Sequence, residues 1–550
     1  MKLKKLKIGN FKQFQSQEFH FNEDINIIVG DNESGKSTVL EAIEICLNFL
    51  YRGKPLNMEL STDLFNNQSI ADYLSSDKSQ DKLPEILIEA FLEGNPDLKG
   101  DNNSDKLDDQ GIFVRIYFDP DLADSYESFV TEPDKVITLP VELYKIEWYS
   151  FAWNRITRHN KKISCLFVDP ARLHPSFGRT KYINSIINAA LEKNARSTLN
   201  LNYRQLKSRF DDEPDVIAIN KKLDADNVIT DKSLKITADI ASTTSWESSL
   251  QLAVDEVSFD QVGKGEQNQI QIKLALENKA KDVDIVMLEE PENHLSHINL
   301  VKLISHIEKK NSDKQIFLTT HSSYVLNKLS IENLCLVANG YTRLKDIDKE
   351  TVKTLRRLPG YDTLRVVLAQ KLVLVEGPSD ELLLKKIYLN KHGCLPEEHG
   401  IDIIVVRGIG FKNYLNIAKP LNHPVRVVKD NDGNYEKKIT EWSKPYEDCK
   451  GIVCFSSEDD DLHSLEPALI GANEATIEEL DLLASVMLST QTYNLYEKEG
   501  GLPAKKTYLR NWFTCEKSGG RKVDSAIRIF DSKEVIKYPS YLVKAVEFDA

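Results

Sequence analysis

The sequence predicts an α/β protein with two domains, because strand–turn–helix units recur in two separate stretches of the 550-residue chain. The first stretch, residues 25–50, reads INIIVGDNESGKSTVLEAIEICLNFL, an apolar strand, a glycine-containing loop and an amphipathic helix. The second stretch, residues 371–432, begins with KLVLVEGPSDELLLKKIYL and continues as alternating strand and helix patterns. A chain of this length is expected to hold roughly two to four domains.

The composition fits a protein that folds in water. Apolar residues make up 41% of the chain, and no run of about 18 apolar residues is available for a transmembrane helix. The seven cysteines are scattered without metal-ligand spacing, so we interpret them as reduced thiols and expect a cytoplasmic protein. The net charge of −14 argues against indiscriminate coating of nucleic acid, but it leaves room for a local basic groove.

GDNESGKST, residues 30–38, matches the phosphate-binding pattern G-x-x-x-x-G-K-[ST]. The two glycines let the backbone wrap closely around phosphate oxygens, and the helix N-terminus adds partial positive charge. The lysine reaches the outer phosphates, and the serine can bind Mg²⁺. The residues expected to contact nucleotide here are Gly30, Asn32, Gly35, Lys36, Ser37 and Thr38.

IVMLEEPE supplies the acidic strand that such a loop requires. Glu289 would hold the metal, and Glu290 would orient or deprotonate the attacking water. QIFLTTHSS is a further strand whose His321 would contact the terminal phosphate or that water. The alternatives are two solvated glutamates and a strand-end histidine with a structural role.

A glycine-rich stretch precedes the acidic strand. QVGKGEQNQIQIKLAL places Gly263, Gly265 and Gln267 just before a helix, where small residues suit the capping of a nucleotide from the opposite side. The order of phosphate loop, glycine-rich signature, acidic strand and histidine resembles that of ABC-type ATPases of the SMC/RecF kind. The opening IGNFKQFQS also resembles their first strand. The resemblance implies ATP bound between two ATPase heads, and therefore a homodimer or higher homo-oligomer.

Two departures from that family bear on the expected activity. Glu289 stands where most ABC ATPases have aspartate, and the signature reads Gly-Lys-Gly-Glu-Gln rather than the usual Ser-Gly-Gly form. We therefore expect ATP binding to act as a switch more than ATP hydrolysis as a motor.

Acidic residues follow two apolar runs of the second domain. Glu376 ends VLVE and is followed by Gly377 and, at a helix start, Asp380; Asp430 and Asp432 follow VVK in VVKDNDG. If the aspartates lie on a strand, both face one side, and such a pair is stable with a cation between its carboxylates. The alternative is a plain turn, because Asn-Asp-Gly is good turn chemistry.

Glu-Gly after one strand and Asp-x-Asp after another resemble the Toprim fold. An ABC-type ATPase followed directly by Toprim resembles the OLD (overcoming lysogenization defect) family of nucleases. The resemblance implies two Mg²⁺ or Mn²⁺ ions held by Glu376, Asp380, Asp430 and Asp432. It adds Glu466 in HSLEPALI as a further ligand and Lys522 in SGGRKVDSAIRIF as the residue that stabilises the transition-state phosphate. The alternatives are a surface glutamate and a surface lysine.

The resemblances define the expected organisation. We expect an ABC-type ATPase domain over residues 1–345, a helical insertion over 175–240 that serves dimerisation, a connector over 346–366, and a Rossmann-like Toprim domain over 367–550. Basic residues near the acidic motifs would contact DNA phosphates. The aromatic residues Trp512 and Phe513 could stack a base, although core packing is the favoured interpretation.

Two functions remain open at this stage. The first is an ATP-regulated, divalent-metal-dependent DNA endonuclease or nickase in bacterial anti-phage defence. It would act alone, beside a helicase-like partner in a Gabija-like system, or as a retron effector with a reverse transcriptase and its RNA–DNA. The alternative is a non-catalytic ATP-dependent DNA clamp or assembly scaffold with a Toprim binding module. Topoisomerase and primase activities are less favoured, because the domains that usually accompany Toprim in those enzymes are not recognised in the sequence.

Overall fold

The computed structural model describes most of the chain. The described residues are 1–131, 136–169, 193–225, 232–238, 253–277, 283–309, 314–338, 340–344, 347–357, 362–407, 410–449, 451–514 and 518–548. They divide into two compact units: Met1–Thr320 with Asn339–Tyr341 form the first, and His321–Ala338 with Thr342–Ala550 form the second.

The predicted domain boundaries stay predictions. Of the predicted insertion, residues 193–225 form two helices, and residues 175–192, 226–231 and 239–240 lie outside the described residues. The predicted connector contains two short helices. No helix among the described residues has the length and apolar character needed to cross a membrane.

The first unit contains fourteen of the described strands and eight of the described helices. The strands are β1 (Lys2–Phe11), β2 (Phe14–His20), β3 (Ile25–Val29), β4 (Leu50–Tyr51), β5 (Lys54–Pro55), β6 (Ile86–Glu93), β7 (Lys99–Gly100), β8 (Asp109–Phe118), β9 (Tyr144–Ser150), β10 (Cys165–Val168), β11 (Ala253–Val254), β12 (Val257–Ser258), β13 (Ile285–Leu288) and β14 (Gln315–Thr319). The helices are α1 (Lys36–Asn48), α2 (Leu56–Glu59), α3 (Asn67–Ser75), α4 (Ala123–Phe129), α5 (Lys193–Asp211), α6 (Pro214–Ala225), α7 (Lys264–Glu277) and α8 (His297–Lys309).

An antiparallel sheet forms one layer of this unit. Its strands run in the order β2-β1-β6-β8-β9, and β7 pairs with the start of β8. Alternate residues of β8, such as Val114 and Ile116, are fully buried on the face toward α1. The Trp148 indole of β9 donates to the carbonyl of Ile45 in α1 at 3.1 Å. Each fully buried aliphatic side chain of such a core contributes about 1.5–3 kcal/mol.

A parallel sheet positions the nucleotide-binding motifs. Strands β10, β13, β14 and β3 lie side by side in that order, and every residue of β13, β14 and β3 is buried. Continuous apolar runs of this kind are typical of strands covered on both faces. Because the strands are parallel, their carboxyl ends share one edge, where the loop after β3 and Glu289 after β13 both begin.

The second unit contains the remaining described strands and helices; of these, β16 begins in residues assigned to the first unit and ends in residues assigned to the second. The strands are β15 (Leu334–Ala338), β16 (Gly340–Arg343), β17 (Lys371–Val375), β18 (Ile401–Val405), β19 (Val425–Val428) and β20 (Ile452–Phe455). The helices are α9 (Ser323–Lys328), α10 (Lys349–Arg357), α11 (Thr363–Leu368), α12 (Pro378–His392), α13 (Phe411–Ala418), α14 (Glu441–Ser443), α15 (Leu465–Ala472), α16 (Ile477–Met487), α17 (Thr490–Tyr496), α18 (Gly501–Thr514), α19 (Ser518–Asp531) and α20 (Ser540–Val546).

A four-stranded parallel sheet forms the centre of the second unit. The strand order is β18-β17-β19-β20, and the register pairs Val375 at the end of β17 with Val405 and with Val428. The last residues of these strands are therefore level, and the residues that follow them meet at one edge. Helices α12, α15, α16, α18, α19 and α20 supply the apolar core on one side of the sheet. Phe513 belongs to this core, as the favoured interpretation predicted.

Candidate functional site

The phosphate loop follows β3 and ends where α1 begins at Lys36. Gly35 has φ of 106°, and a Cβ there would lie 2.0 Å from Nε2 of Gln13 and 2.5 Å from the ring of Phe14. Only glycine fits this conformation at this contact without strain. Asn32 lies in the exposed part of the loop, and Gly30 is buried below it.

Lys36 folds back over its own loop. Its ammonium donates to the carbonyl of Gly30 at 2.9 Å and to that of Asp31 at 2.8 Å. Burial lowers the pKa of Lys36, and the nearby Glu290 carboxylate is the largest influence in the opposite direction. The ammonium of Lys36 thus binds two main-chain carbonyls, and phosphate oxygens of a nucleotide can take their place.

The phosphate loop and the acidic strand meet through Ser37 and Glu289. The Ser37 hydroxyl donates to the Glu289 carboxylate. These are the two side chains expected to hold Mg²⁺, and both are oxygen donors of the type Mg²⁺ prefers. Thr38, which is buried, donates to Oε1 of Gln13 at 3.0 Å. Gln13 therefore contacts the phosphate loop. The motifs did not identify this residue, because Gln13 lies outside them, in the turn between β1 and β2.

Glu290 begins a tight turn after β13. Its φ is 41°, and its N–H donates to the Thr319 hydroxyl of β14 at 3.0 Å. The Asn293 amide donates to the Glu290 carboxylate at 2.7 Å. Glu290 is thus held beside the loop, in the same unit as Lys36.

Gly263 lies just before α7, as predicted, whereas Gly265 and Gln267 lie inside the helix, which begins at Lys264, and serve packing within the chain. A Cβ on Gly265 would lie 2.1 Å from the main-chain oxygen of His294, so glycine is required by this approach. Gln267 donates from Nε2 to the carbonyl of Phe259 at 2.7 Å. Gly263, just before the helix, faces open space.

Asn268 is a second residue that the motifs did not identify. Its side chain is buried, and Nδ2 donates to the carbonyl of Asn293 at 3.1 Å and to that of Pro291 at 3.4 Å. It ties the turn after the acidic strand to α7. His321 is exposed two residues after the end of β14 and is the first residue of the second unit.

The second unit gathers four acidic side chains at the carboxyl edge of its parallel sheet. We call them the carboxylate cluster: Glu376, Asp380, Asp430 and Glu466. Glu376 follows β17, and its Oε1 accepts from the N–H of Asp430, after β19, at 3.3 Å. Asp380, in the first turn of α12, accepts from the Gly377 N–H at 3.0 Å.

Burial and mutual repulsion shift the acidities of this cluster. Burial raises the pKa of Asp430 to about 8, and the negative charges of Asp380 and Glu376 add to that rise. Burial likewise raises the pKa of Asp380 to about 7. The pKa of Glu376 is raised by burial against the opposing charge of Lys429. Buried carboxylates that repel one another are stabilised by a bound cation.

Asp432 does not join the cluster as an equal member. The strand β19 ends at Val428, so the two aspartates lie in a turn, and Asp432 has φ of 47°. Its exposed carboxylate accepts from Lys438 at 2.8 Å, which lowers its pKa, whereas that of Asp430 is raised. The prediction that Asp430 and Asp432 face one side because they lie on a strand is therefore wrong, since the strand ends before them. Local turn chemistry, the alternative interpretation, sets their directions.

Glu466 and Lys522 are neither a surface glutamate nor an isolated surface lysine. Glu466 lies in the first turn of α15 and is 6% exposed. Lys522 of α19 donates to its Oε2 at 2.8 Å. A lysine thus reaches the rim of the carboxylate cluster, and it is more exposed than its partner. Lys429 was missed by motif reasoning, although it directly precedes Asp430; its ammonium lies 3.9 Å from Glu376.

The cluster fits divalent cations in its donor atoms and charge. All four side chains offer carboxylate oxygens, which suit Mg²⁺ and Mn²⁺. Among the described residues, no group of three or more His, Cys, Asp and Glu side chains is already arranged to hold a metal ion. The cluster therefore offers the ligand types that a divalent cation prefers, without a preformed coordination geometry.

Fold and motifs define a class: an ABC-type ATPase followed by a Toprim domain, as the sequence predicted. The chain belongs to the family described as "AAA domain, putative AbiEii toxin, Type IV TA system", whose model matches residues 25–327, more than half of the chain. Residues 367–432 match the model of the "Overcoming lysogenization defect protein-like, TOPRIM domain". The predicted resemblance to the OLD family is thereby confirmed.

Similar proteins include an endonuclease. The chain is 21% identical to Endonuclease GajA of Bacillus cereus (strain HuB5-5) over 87% of this chain and 84% of that protein. It is 31% identical to the DNA replication and repair protein RecF of Chlorobium phaeobacteroides (strain BS1) over 20% of this chain and 28% of that protein. The solved SMC head domain from Thermotoga maritima is 13% identical, with 63% of this chain and all of that chain covered and a TM-score of 0.29.

Proposed function

We propose that the protein is an ATP-regulated, divalent-metal-dependent DNA endonuclease or nickase. The observation that carries this proposal is the convergence of Glu376, Asp380, Asp430 and Glu466 at one sheet edge, with Lys522 beside them. The similarity to Endonuclease GajA over most of both chains supports phosphodiester hydrolysis as the reaction. Bound metal would supply charge neutralisation at the scissile phosphate and orientation of water.

The residues of the cluster have distinct expected tasks. Asp380 and Asp430 have the most strongly raised pKa values of the set and would hold the metal, with Glu376 and Glu466 completing its oxygen ligands. Lys522 would exchange its carboxylate partner for a phosphate oxygen of DNA, which is a charge-assisted contact of the same kind. Asp432, at the exposed rim, would serve as an outer ligand.

ATP would regulate this activity from the first unit. Gly30, Gly35, Lys36 and Ser37 form a complete phosphate loop, and Glu289 and Glu290 follow the neighbouring acidic strand. We propose two heads per nucleotide site, with Gly263 of one head facing the nucleotide held by the other. The described part of the insertion exposes apolar side chains on α5, including Leu201 at 61% and Leu206 at 66%, which supports a dimerisation arm.

A plasmid assay tests the proposal. Supercoiled plasmid is incubated with purified protein, with Mg²⁺ or Mn²⁺, and with or without ATP. We expect nicked or linear product from the wild type and from the surface control Glu478→Gln, and loss of product from Asp430→Asn and Glu376→Gln by at least about a hundredfold. Cleavage that persists in both cluster variants would refute the assignment. DNA binding without any cleavage by the wild type would favour the ATP-dependent clamp.

A role in anti-phage defence is part of the proposal and rests on the family. Infection of cells that carry the wild type or Asp430→Asn, each with its neighbouring genes, would test it by plating efficiency. A partner such as a helicase or a retron reverse transcriptase would be recovered by affinity purification from the same cells.

A further inference from the structure

The outer face of the antiparallel sheet carries a pocket that the ATPase and nuclease motifs do not explain. It has a volume of about 390 Å³, which lies within the ~300–1,000 Å³ of typical small-molecule sites. Strands β6, β8 and β9 form its floor, and its walls are formed by Asn102, Asn103, Ser104, Lys106 and Trp153 from loops. We call it the outer-face pocket.

The pocket contains a cluster of three aromatic rings. Phe113 and Tyr149 lie opposite each other in the register of β8 and β9, with ring centres 5.8 Å apart and planes 26° apart. Trp153 packs against both rings: its centre lies 4.9 Å from that of Tyr149, with planes 13° apart, and 6.0 Å from that of Phe113, with planes 34° apart. Phe113 is buried, whereas Trp153 is 60% exposed. Trp153 is therefore the ring of the cluster that solvent and a ligand can reach.

The chain holds Trp153 in this position by an unfavourable backbone conformation. Its φ is 62°, a left-handed value that non-glycine residues adopt at a cost. The N–H of Trp153 donates to the carbonyl of Ser150 at 2.8 Å, and the N–H of Ser150 donates to that of Asn154 at 2.9 Å. The carbonyl of Phe151 accepts from Asn102 Nδ2 at 2.7 Å, which joins the two loops that flank the pocket.

The carboxylates on the pocket floor already have hydrogen-bond partners. Arg115 donates to Glu85 at 2.9 Å and 2.6 Å, which pairs opposite charges. Glu147 accepts from the neutral Tyr117 hydroxyl at 2.7 Å. Glu89 accepts from the N–H of Ser104 at 2.7 Å, and also from its hydroxyl. Each carboxylate is thus engaged, which leaves the aromatic surface as the available binding element.

We propose that the outer-face pocket binds a nucleobase, stacked on the exposed face of Trp153. The exposed indole of Trp153 suits a planar heterocycle, and base–aromatic stacking tolerates any base. Lys106 lines the pocket as a positive charge for an attached phosphate. The base can come from single-stranded nucleic acid or from a free nucleotide. This inference goes beyond the proposed nuclease function and does not depend on it.

The test uses the full chain in EDTA without ATP, so that neither metal chemistry nor phosphate-loop binding contributes. One probe is 2-aminopurine riboside, a fluorescent purine that lacks phosphate and is quenched by stacking. The other is a fluorescein-labelled 12-nucleotide single strand, measured by anisotropy. The variants are Trp153→Ala, Trp153→Phe and, as a matched control at another exposed aromatic residue of the same unit, Phe129→Ala.

We expect Trp153→Ala to weaken binding by about 5- to 150-fold, the range of one lost base–aromatic stack. Trp153→Phe should recover most of the affinity, and Phe129→Ala should match the wild type. An effect on both probes identifies a nucleic-acid strand as the source, and an effect on the riboside alone identifies a free nucleotide. Equal affinity of Trp153→Ala and wild type, or absence of quenching, would overturn the proposal. Full competition by L-argininamide would also overturn it, in favour of a cation site.

A second measurement covers the case in which Trp153→Ala fails to fold, as judged by thermal unfolding. Wild-type protein is irradiated with a single strand that contains 5-iodouracil, and cross-linked peptides are mapped by mass spectrometry. Cross-links at Trp153 or Tyr149 support the pocket, and cross-links confined to other segments contradict it. Both probes are measured without metal and report no cleavage, so failure of the nuclease proposal and failure of this one are separable.

Discussion

Adding Mg²⁺ or Mn²⁺ to the metal-free protein at pH 7 should release protons from the carboxylate cluster. The pKa of Asp430 is raised to about 8 and that of Asp380 to about 7, chiefly by burial. Both groups therefore carry protons in part when no metal is bound. Metal ligands must be deprotonated, so binding and proton release are coupled.

The magnitude follows from these two pKa values. At pH 7 a group with a pKa of about 8 is about 90% protonated, and one with a pKa of about 7 is about half protonated. Ionisation of both on binding would release about one and a half protons. The release should vanish above about pH 9, where both groups are already ionised. The two carboxyls titrate as a pair, so the sum is the measurable quantity.

Isothermal titration calorimetry in buffers of different ionisation enthalpy measures the number of protons released. Asp430→Asn should release about one proton fewer, while the surface variant Glu478→Gln should behave as the wild type. Metal binding without proton release at pH 7 would refute the reasoning. Equal release by Asp430→Asn and wild type would show that the protons come from other groups.

Four further predictions follow from the same contacts. The pKa values of Asp380 and Asp430 are higher in the folded state than in the unfolded state, so the folded state binds more protons. The free energy of unfolding of the metal-free protein should therefore fall as the pH rises from about 4 to about 8. Chemical denaturation at pH 5 and pH 8 measures this change, and equal stability at both pH values would contradict it. Gly265→Ala should destabilise the protein by about 1–3 kcal/mol, because the added Cβ would lie 2.1 Å from the His294 carbonyl oxygen. Gly263→Ala is the control, because a Cβ at Gly263 faces open space. Thermal unfolding compares the two variants, and equal destabilisation would contradict the contact. Asn268→Ala should cost about 1–3 kcal/mol and weaken ATP binding, since two turn carbonyls lose their donor; unchanged denaturation curves would argue against this role. Leu206→Glu should shift the protein toward monomer in sedimentation velocity, and an unchanged sedimentation coefficient would exclude α5 from the interface.

Local patterns in the sequence were sufficient for the motif-bearing elements. The phosphate loop is formed by consecutive residues that directly follow an apolar strand. Its strand, glycine turn and helix could therefore be predicted from residues 25–50 alone. The same holds for Glu376 and Asp380, which are set by β17 and the first turn of α12. Parallel pairing of β17 with β19 then brings Asp430 beside them.

Contacts between distant residues could not be predicted in this way. Gly265 approaches a carbonyl 29 positions later, and Asn268 binds the turn after β13, so both depend on packing rather than spacing. The pairing of Phe113 with Tyr149 requires the register of β8 and β9. The direction of Asp432 depends on a single left-handed residue, which the turn interpretation allowed and the strand interpretation did not.

We propose that one sheet edge of the second unit holds the catalytic metal. Crystals of the full chain grown with Mn²⁺, measured near the manganese absorption edge, would locate the ion by anomalous scattering. We expect anomalous density within coordination distance, about 2.0–2.4 Å, of carboxylate oxygens of Asp380 and Asp430. Strong anomalous density elsewhere in the chain, with none at this edge, would contradict it.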